Sequence, residues 1–176
     1  MPHTHGAELL RQLGRCDMRT IKYIVIHEAA CPLHKPSGAQ FTIEDVDQWH
    51  QERGFQRSDT WRNKWHPELK AVGYQFVIGI DGQLWEGRHQ DEVPAAVKGF
   101  NSVSVNICLI GQGKYTQEQW AALKFLVTNL AEKYPSAEIV GHCNPTFNSG
   151  KTCPDFNVPA WVIEGMDPQE GHIYVG

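Results

Sequence analysis

The stretch Ile21-Lys22-Tyr23-Ile24-Val25-Ile26-His27 decides the fold. Three consecutive aliphatic residues give both faces of an extended segment apolar side chains. That pattern predicts a strand buried on both faces, inside a sheet covered by helices. The run ends on an imidazole. Further along, Thr42-Ile43-Glu44-Asp45 combines an N-cap with an acidic first turn, which predicts a helix to about Arg53, before Gly54. Residues 72–80 and 83–86 flank Asp81-Gly82, a two-residue turn signal, and predict a hairpin. Residues 104–110 predict another strand, closed by Gly111. Thr116-Gln117-Glu118-Gln119 is a capping box at the head of the longest helix. Trp120, Leu123, Leu126, Val127 and Leu130 fall on one face of that helix, which ends near Tyr134-Pro135. Residues 138–141 form a short strand that delivers a second imidazole, His142, while residues 7–13 and 158–163 read as short helices. Strands and helices interleave, so the expected fold is mixed α/β: a central mixed β-sheet flanked by α-helices.

The composition sets bounds on function. With 176 residues, 41% hydrophobic and 20% charged, the chain has enough apolar material for a core and the length of one domain. We expect a single domain over residues 1–176, with a core at about 20–163, an N-terminal extension at 1–19 and a tail at 164–176. The net charge of −4 and the lack of a Lys/Arg run argue against nucleic acid as a partner. Apolar stretches are strand-sized, which argues against membrane insertion. The first twenty residues lack the apolar centre of a signal peptide, so cytoplasmic synthesis is expected. Five cysteines, an odd number, do not read as a disulfide framework, although Cys16 and Cys31 are candidates for proximity. Cys108, inside a strand, reads as a small buried apolar residue.

Three groups stand out chemically. His27 and His142 each close a strand, and open α/β sheets place their sites outside the carboxyl ends of strands. The polar loop after His142 runs to Gly150-Lys151-Thr152-Cys153-Pro154 and is able to fold back on it. Two imidazoles and a thiolate make three ligands, one short of a closed tetrahedral zinc site; the fourth position is where a catalytic water sits. From spacing alone the plainer alternative stays open: two histidines satisfied by hydrogen bonds and a semi-buried thiol. Gly150-Lys151-Thr152 superficially matches the end of a phosphate-binding loop, but that motif needs glycine where Pro145 stands, and nucleotide binding is rejected.

The order of the pieces resembles the zinc-dependent N-acetylmuramoyl-L-alanine amidases, a family that includes phage endolysins and animal peptidoglycan-recognition proteins. The matching pieces are Ile24-Val25-Ile26-His27, Trp49-His50-Gln51-Glu52-Arg53-Gly54-Phe55, Gly73-Tyr74-Gln75-Phe76-Val77-Ile78 and Glu86-Gly87-Arg88. Lys98-Gly99-Phe100-Asn101-Ser102, Ile107-Cys108-Leu109-Ile110-Gly111, Gly141-His142 and Lys151-Thr152-Cys153-Pro154 follow. The resemblance implies one Zn2+ held by His27, His142 and Cys153, with Tyr74 and Lys151 as catalytic residues. It implies hydrolysis of the amide between N-acetylmuramic acid and L-alanine, with peptidoglycan as partner and a monomeric protein reaching the wall after release. A cytoplasmic amidase for recycled wall fragments and a non-catalytic peptidoglycan binder are the alternatives. Some related phage amidases also bind their phage's RNA polymerase, and no residue here argues for or against such a regulatory partner.

Departures from the pattern are informative. Glu28 stands where a small or thiol residue is expected, and either orients an imidazole or points to solvent. Asp155 adds negative charge after Cys153-Pro154. Ala96 stands where a polar groove residue is expected, ahead of Lys98. The 56–72 link is long and carries Trp61 and Trp65 among cations, either as a wall of the glycopeptide groove or as a flap packed on the body. Trp61, Trp65, Lys98 and Asn101 are the candidate substrate contacts.

Overall fold

The computed structural model describes residues 19–176; the helix expected at 7–13 and Cys16 lie outside these. The strands are β1 (Tyr23–Glu28), β2 (Phe76–Ile78), β3 (Leu84–Glu86), β4 (Ser104–Leu109) and β5 (Glu138–Gly141). The helices are α1 (Ile43–Glu52), α2 (Asp59–Arg62), α3 (Gln117–Lys133) and α4 (Val158–Ile163). The sheet runs β3-β2-β4-β1-β5, with β2, β4, β1 and β5 parallel and β3 antiparallel at one edge. This is the expected mixed α/β fold, and β1 lies inside the sheet as its two apolar faces require. No helix of the described residues is long and apolar enough to cross a membrane.

Alternation along the strands sorts side chains into two layers. Ile24 and Ile26 of β1 and Val105, Ile107 and Leu109 of β4 meet the apolar face of α3, where Trp120, Leu123, Leu126, Val127 and Leu130 are all buried. Each such side chain contributes roughly 1.5–3 kcal/mol on leaving water. Val25 and Cys108 point the other way, as does His27. That second face is covered partly by α1, through Ile43 and Val46, and partly by the 97–100 loop. His27 therefore lies in the layer whose apolar cover is shared between α1 and that loop.

Two local expectations are corrected. The strand expected at 72–80 narrows to Phe76–Ile78. Upstream, α1 claims the backbone: the Asp47 carboxylate accepts from the N–H groups of Lys70, Ala71 and Val72, and His50 Nδ1 accepts from Gly73 N–H at 2.8 Å. The Asp81-Gly82 turn is also longer than two residues. Gly79 N–H donates to Gln83 O and Gly82 N–H to Gly79 O, so three residues make the loop and Gly82 takes φ +79° as its bulge. A Cβ at Gly82 would meet the Glu118 carbonyl oxygen at 3.0 Å, which adds crowding to the conformational requirement for glycine.

Candidate metal centre

His27 lies near the end of β1, and β5 runs beside it in register Ile26↔Gly141. Continuing the alternation past β5 places His142 on the face of Val140, the same face as His27. The His142 N–H donates to Ile26 O at 3.1 Å, and the two imidazole centroids are 4.6 Å apart. The loop after His142 then returns: Cys143 N–H donates to Cys153 O at 3.0 Å. Closure depends on Gly141, because a Cβ there would lie 2.9 Å from Pro154 Cδ and 3.2 Å from Cys143 Sγ. The result brings one donor atom from each of His27, His142 and Cys153 within 4.8 Å of one another.

The donor set fits a zinc ion chemically. His27 is buried, and its Nε2–H donates to Asn106 Oδ1 at 2.7 Å, which fixes the tautomer and leaves Nδ1 as the free donor. Asn106 is in turn held by Ser104 Oγ at 2.9 Å and, through its backbone N–H, by Gln75 Oε1. Burial, and then the neighbouring His142, lower the His27 pKa to about 3, and burial followed by the Lys151 charge lowers that of His142. Both rings are therefore neutral with lone pairs available. Burial pushes the Cys153 thiol up to about 12, although Glu28 N–H donates to its Sγ at 3.0 Å. A divalent cation reverses that preference, since a coordinating thiol is deprotonated outright.

Tyr74 stands beside these donors. Its ring is 5.0 Å from His27 and 5.1 Å from His50, and burial, then the Cys108 and Cys153 thiols, raise its pKa well above the ordinary 10. The phenol is thus a neutral O–H at any physiological pH. Lys151 is exposed, and its ammonium bears on His142. Ser149 links the two backbones: its hydroxyl donates to His142 O at 2.9 Å and accepts from the Lys151 backbone N–H at 3.2 Å.

The remaining expected contacts have other engagements. Trp61 stacks on His89 at 5.5 Å and Trp65 meets the same ring edge-on at 5.0 Å, so both tryptophans are held in place by the body. The 56–72 segment hangs on Arg57, a fully buried guanidinium that pairs with Glu92 at 2.9 Å and donates to the carbonyls of Trp65, His66 and Leu69. Asn101 Oδ1 accepts from Ala96 and Val97 N–H and so closes the loop that carries the exposed Lys98. Glu28 follows neither expected course. It is buried, and its Oε2 accepts from Gly113 N–H at 2.9 Å and lies 3.0 Å from the Tyr115 hydroxyl. Burial raises its pKa, with Asp155 adding to the effect.

Asn106, Ser149 and Tyr115 were not singled out from the sequence. Asn106 had a readable signal, an amide in the middle of Val105-Asn106-Ile107-Cys108-Leu109-Ile110. Ser149 had none, being one polar residue in a polar loop, and Tyr115 had none because the partners of its hydroxyl, Glu28 and Pro154, are remote in the chain.

Fold and site together define an α/β protein with a His-His-Cys cluster at the carboxyl ends of adjacent strands. The model of the N-acetylmuramoyl-L-alanine amidase family matches residues 17–156. The chain belongs to that family. Relatives include the endolysin of Enterobacteria phage K11, 34% identical over 131 residues that cover 70% of this chain and 76% of the relative. The endolysin of Escherichia phage T7 is 31% identical over 139 residues, 74% of this chain and 80% of its own. Among solved structures, an N-acetylmuramoyl-L-alanine amidase endolysin from Clostridium intestinale superposes with a TM-score of 0.63 at 23% identity, covering 83% of this chain and 82% of that one. A mutant of Drosophila PGRP-LB in complex with tracheal cytotoxin gives 0.60 at 22% identity, covering 92% and 88%.

Proposed function

We propose that this protein is a zinc-dependent amidase that cleaves peptidoglycan between N-acetylmuramic acid and L-alanine, acting as a phage or prophage endolysin. The observation that carries this reading is the convergence of His27, His142 and Cys153 donor atoms within 4.8 Å, with Tyr74 against His27. Bound there, zinc supplies Lewis acidity and an activated water, whose pKa falls to about 7.

The chain's own residues do the rest. His27, oriented by Asn106, and His142 offer neutral imidazoles, and Cys153 offers a thiolate. Attack of water on the lactyl carbonyl carbon places negative charge on its oxygen. The Lys151 ammonium faces that charge, carried on a backbone that Ser149 ties to His142 O. Tyr74, with its proton held on Oη, orients the attacking water and relays a proton as the C–N bond breaks. The products are the muramoyl carboxylate and the free amine of L-alanine. Trp61, Trp65, Lys98 and Asn101 border the glycopeptide, with the half-buried tryptophans as a fixed wall. The protein works as a monomeric single domain on the cell wall after release from the cytoplasm. The endolysin relatives support this over a recycling role, and retention of Cys153 supports catalysis over binding alone.

The test is metal analysis paired with an assay for new L-alanine amino termini released from purified peptidoglycan. We expect about one zinc per chain and release of alanine termini, with both lost in Cys153→Ser. Activity in zinc-free protein, or an equally active variant, would overturn the mechanism.

A further inference from the structure

Cys153 is held from behind by a residue that belongs to neither of the segments carrying the donors. Tyr115 is completely buried, its ring edge-on to Trp120 and Phe156 at 5.8 and 6.0 Å. Its hydroxyl donates to Pro154 O at 2.7 Å and lies 3.0 Å from Glu28 Oε2. Pro154 directly follows Cys153, and Glu28 directly follows His27. Glu28 also donates its N–H to Cys153 Sγ at 3.0 Å. One phenol oxygen thus ties together the two backbone segments that bracket the sulfur.

The tail fixes Tyr115 in turn. Tyr115 N–H donates to His172 O at 2.9 Å, and Tyr115 O accepts from Tyr174 N–H at 2.8 Å, a parallel bridge centred on Ile173. His172 secures a second route: its Nδ1–H donates to Gly113 O at 2.7 Å, and Gly113 N–H donates to Glu28 Oε2. Gln169 exchanges two hydrogen bonds with the backbone of Asn157, whose side chain caps α4 just beyond the cysteine loop. The segment 169–174 is therefore a strap, and its routes through Tyr115 and through Gly113 end on Pro154 and Glu28, which flank the Cys153 sulfur.

We propose that Tyr115 is a positioning residue for the Cys153 sulfur and that the 169–174 strap sets Tyr115 in place. This rests on the zinc reading of His27, His142 and Cys153. Hydrogen-bonding partners around metal ligands typically govern ~10–100-fold in affinity, because they hold a ligand where the ion needs it. A loop-borne cysteine, without a strand to direct it, depends on such partners most.

Tyr115→Phe removes the hydroxyl and keeps the ring. Zinc affinity is measured by competition with a chromophoric chelator, and the thiolate-to-metal charge-transfer band is recorded after cobalt substitution. We expect affinity to fall by ~10-fold and the band to shift. Tyr134→Phe is the control: its buried hydroxyl bonds to Gln90 Oε1 at 3.1 Å, away from the cluster. It is expected to lower the melting temperature comparably while leaving zinc affinity and the band unchanged. Tyr174→Pro, which removes the strap's N–H donor at a residue 36% exposed, is expected to weaken zinc in the same direction by a smaller factor, and carries the test if Tyr115→Phe does not fold. Unchanged affinity and band in the Tyr115 and Tyr174 variants, or equal loss in Tyr134→Phe, would overturn the proposal. Wild-type protein that binds no zinc would instead sink the metal reading on which it rests.

Discussion

The two sides of the donor cluster are built differently. His27 comes from an interior strand, and the residue that orients it, Asn106, lies on the adjacent strand β4. Its position follows from sheet register. Cys153 comes from a loop. Its own loop supplies the Cys143 N–H on its carbonyl and the gap left by Gly141, while Glu28 N–H at the sulfur and the Tyr115 hydroxyl under Pro154 come from remote segments. A strand-borne ligand inherits its place from backbone hydrogen bonds formed all along the sheet. A loop-borne ligand needs specific side chains, and each of them is a point of failure. The site thus has a rigid half and a half held by few contacts, and it is the second that carries Lys151.

That contrast can be broken from either side. The largest expected effect is on the loop half: Lys151→Met should lower kcat by about a hundredfold or more while zinc content stays at the wild-type level. Loss of zinc with activity would show instead that Lys151 holds the loop rather than facing the reaction. On the strand half, Asn106→Leu leaves the His27 Nε2–H and Ser104 Oγ without their partner. Zinc affinity should drop by roughly 10–100-fold, and stability by about 1–3 kcal/mol. Chelator competition and urea melts measure the two separately, and an unchanged affinity would remove Asn106 from the site.

Acid should act on the rigid half through the histidines, and the sign follows from their shifts. The folded pKa is about 3 for His27 and about 4 for His50, both below the ordinary 6.5. Burial is the main cause in each, and His50 Nδ1 must stay unprotonated to accept Gly73 N–H. Between these values and 6.5 the unfolded chain binds more protons, so the stabilisation is complete above pH 6.5 and is lost as pH falls towards 4 and then 3. From pH 6.5 to 5 each group costs about 2 kcal/mol, which denaturant melts of metal-stripped protein would register. A flat stability profile over that range would mean that the rings are solvated. The smallest effect is expected at the hinge between the halves. Gly141→Ala should cost about 1–3 kcal/mol, with Pro154 displaced and zinc weakened before the sheet is affected. Equal zinc binding with a normal melting temperature would mean that the loop closes without needing that gap.

Much of the fold was legible in the sequence, for identifiable reasons. The aliphatic run at Ile24-Val25-Ile26 could only be an interior strand, and the Thr116 capping box and the apolar face behind it placed α3. These are local or periodic signals. The hairpin was legible only in outline, because Asp47 and His50 on α1 draw residues 70–73 out of the sheet, and that competition is invisible along the chain. The same holds for the 56–72 segment: the sequence shows two tryptophans among cations, and their packing on the His89 ring is set only by the fold.

By itself the sequence determined most of the elements, the mixed sheet with its helices and the residue types able to hold a metal, because period and side-chain chemistry are properties of the chain; the short α2 in the 56–72 link was not among them. Its resemblance to the amidases named His27, His142, Cys153, Tyr74 and Lys151 together. Only the tertiary structure decided how those groups are held. Asn106 reaches His27 across a strand pair, and Glu28 turns away from the imidazoles towards Gly113 and Tyr115. Tyr115 in turn braces the cysteine loop from a residue 39 positions before Pro154. Hydrogen bonds of that reach depend on where two distant segments come to lie, and that is fixed only once the sheet and its helices have packed.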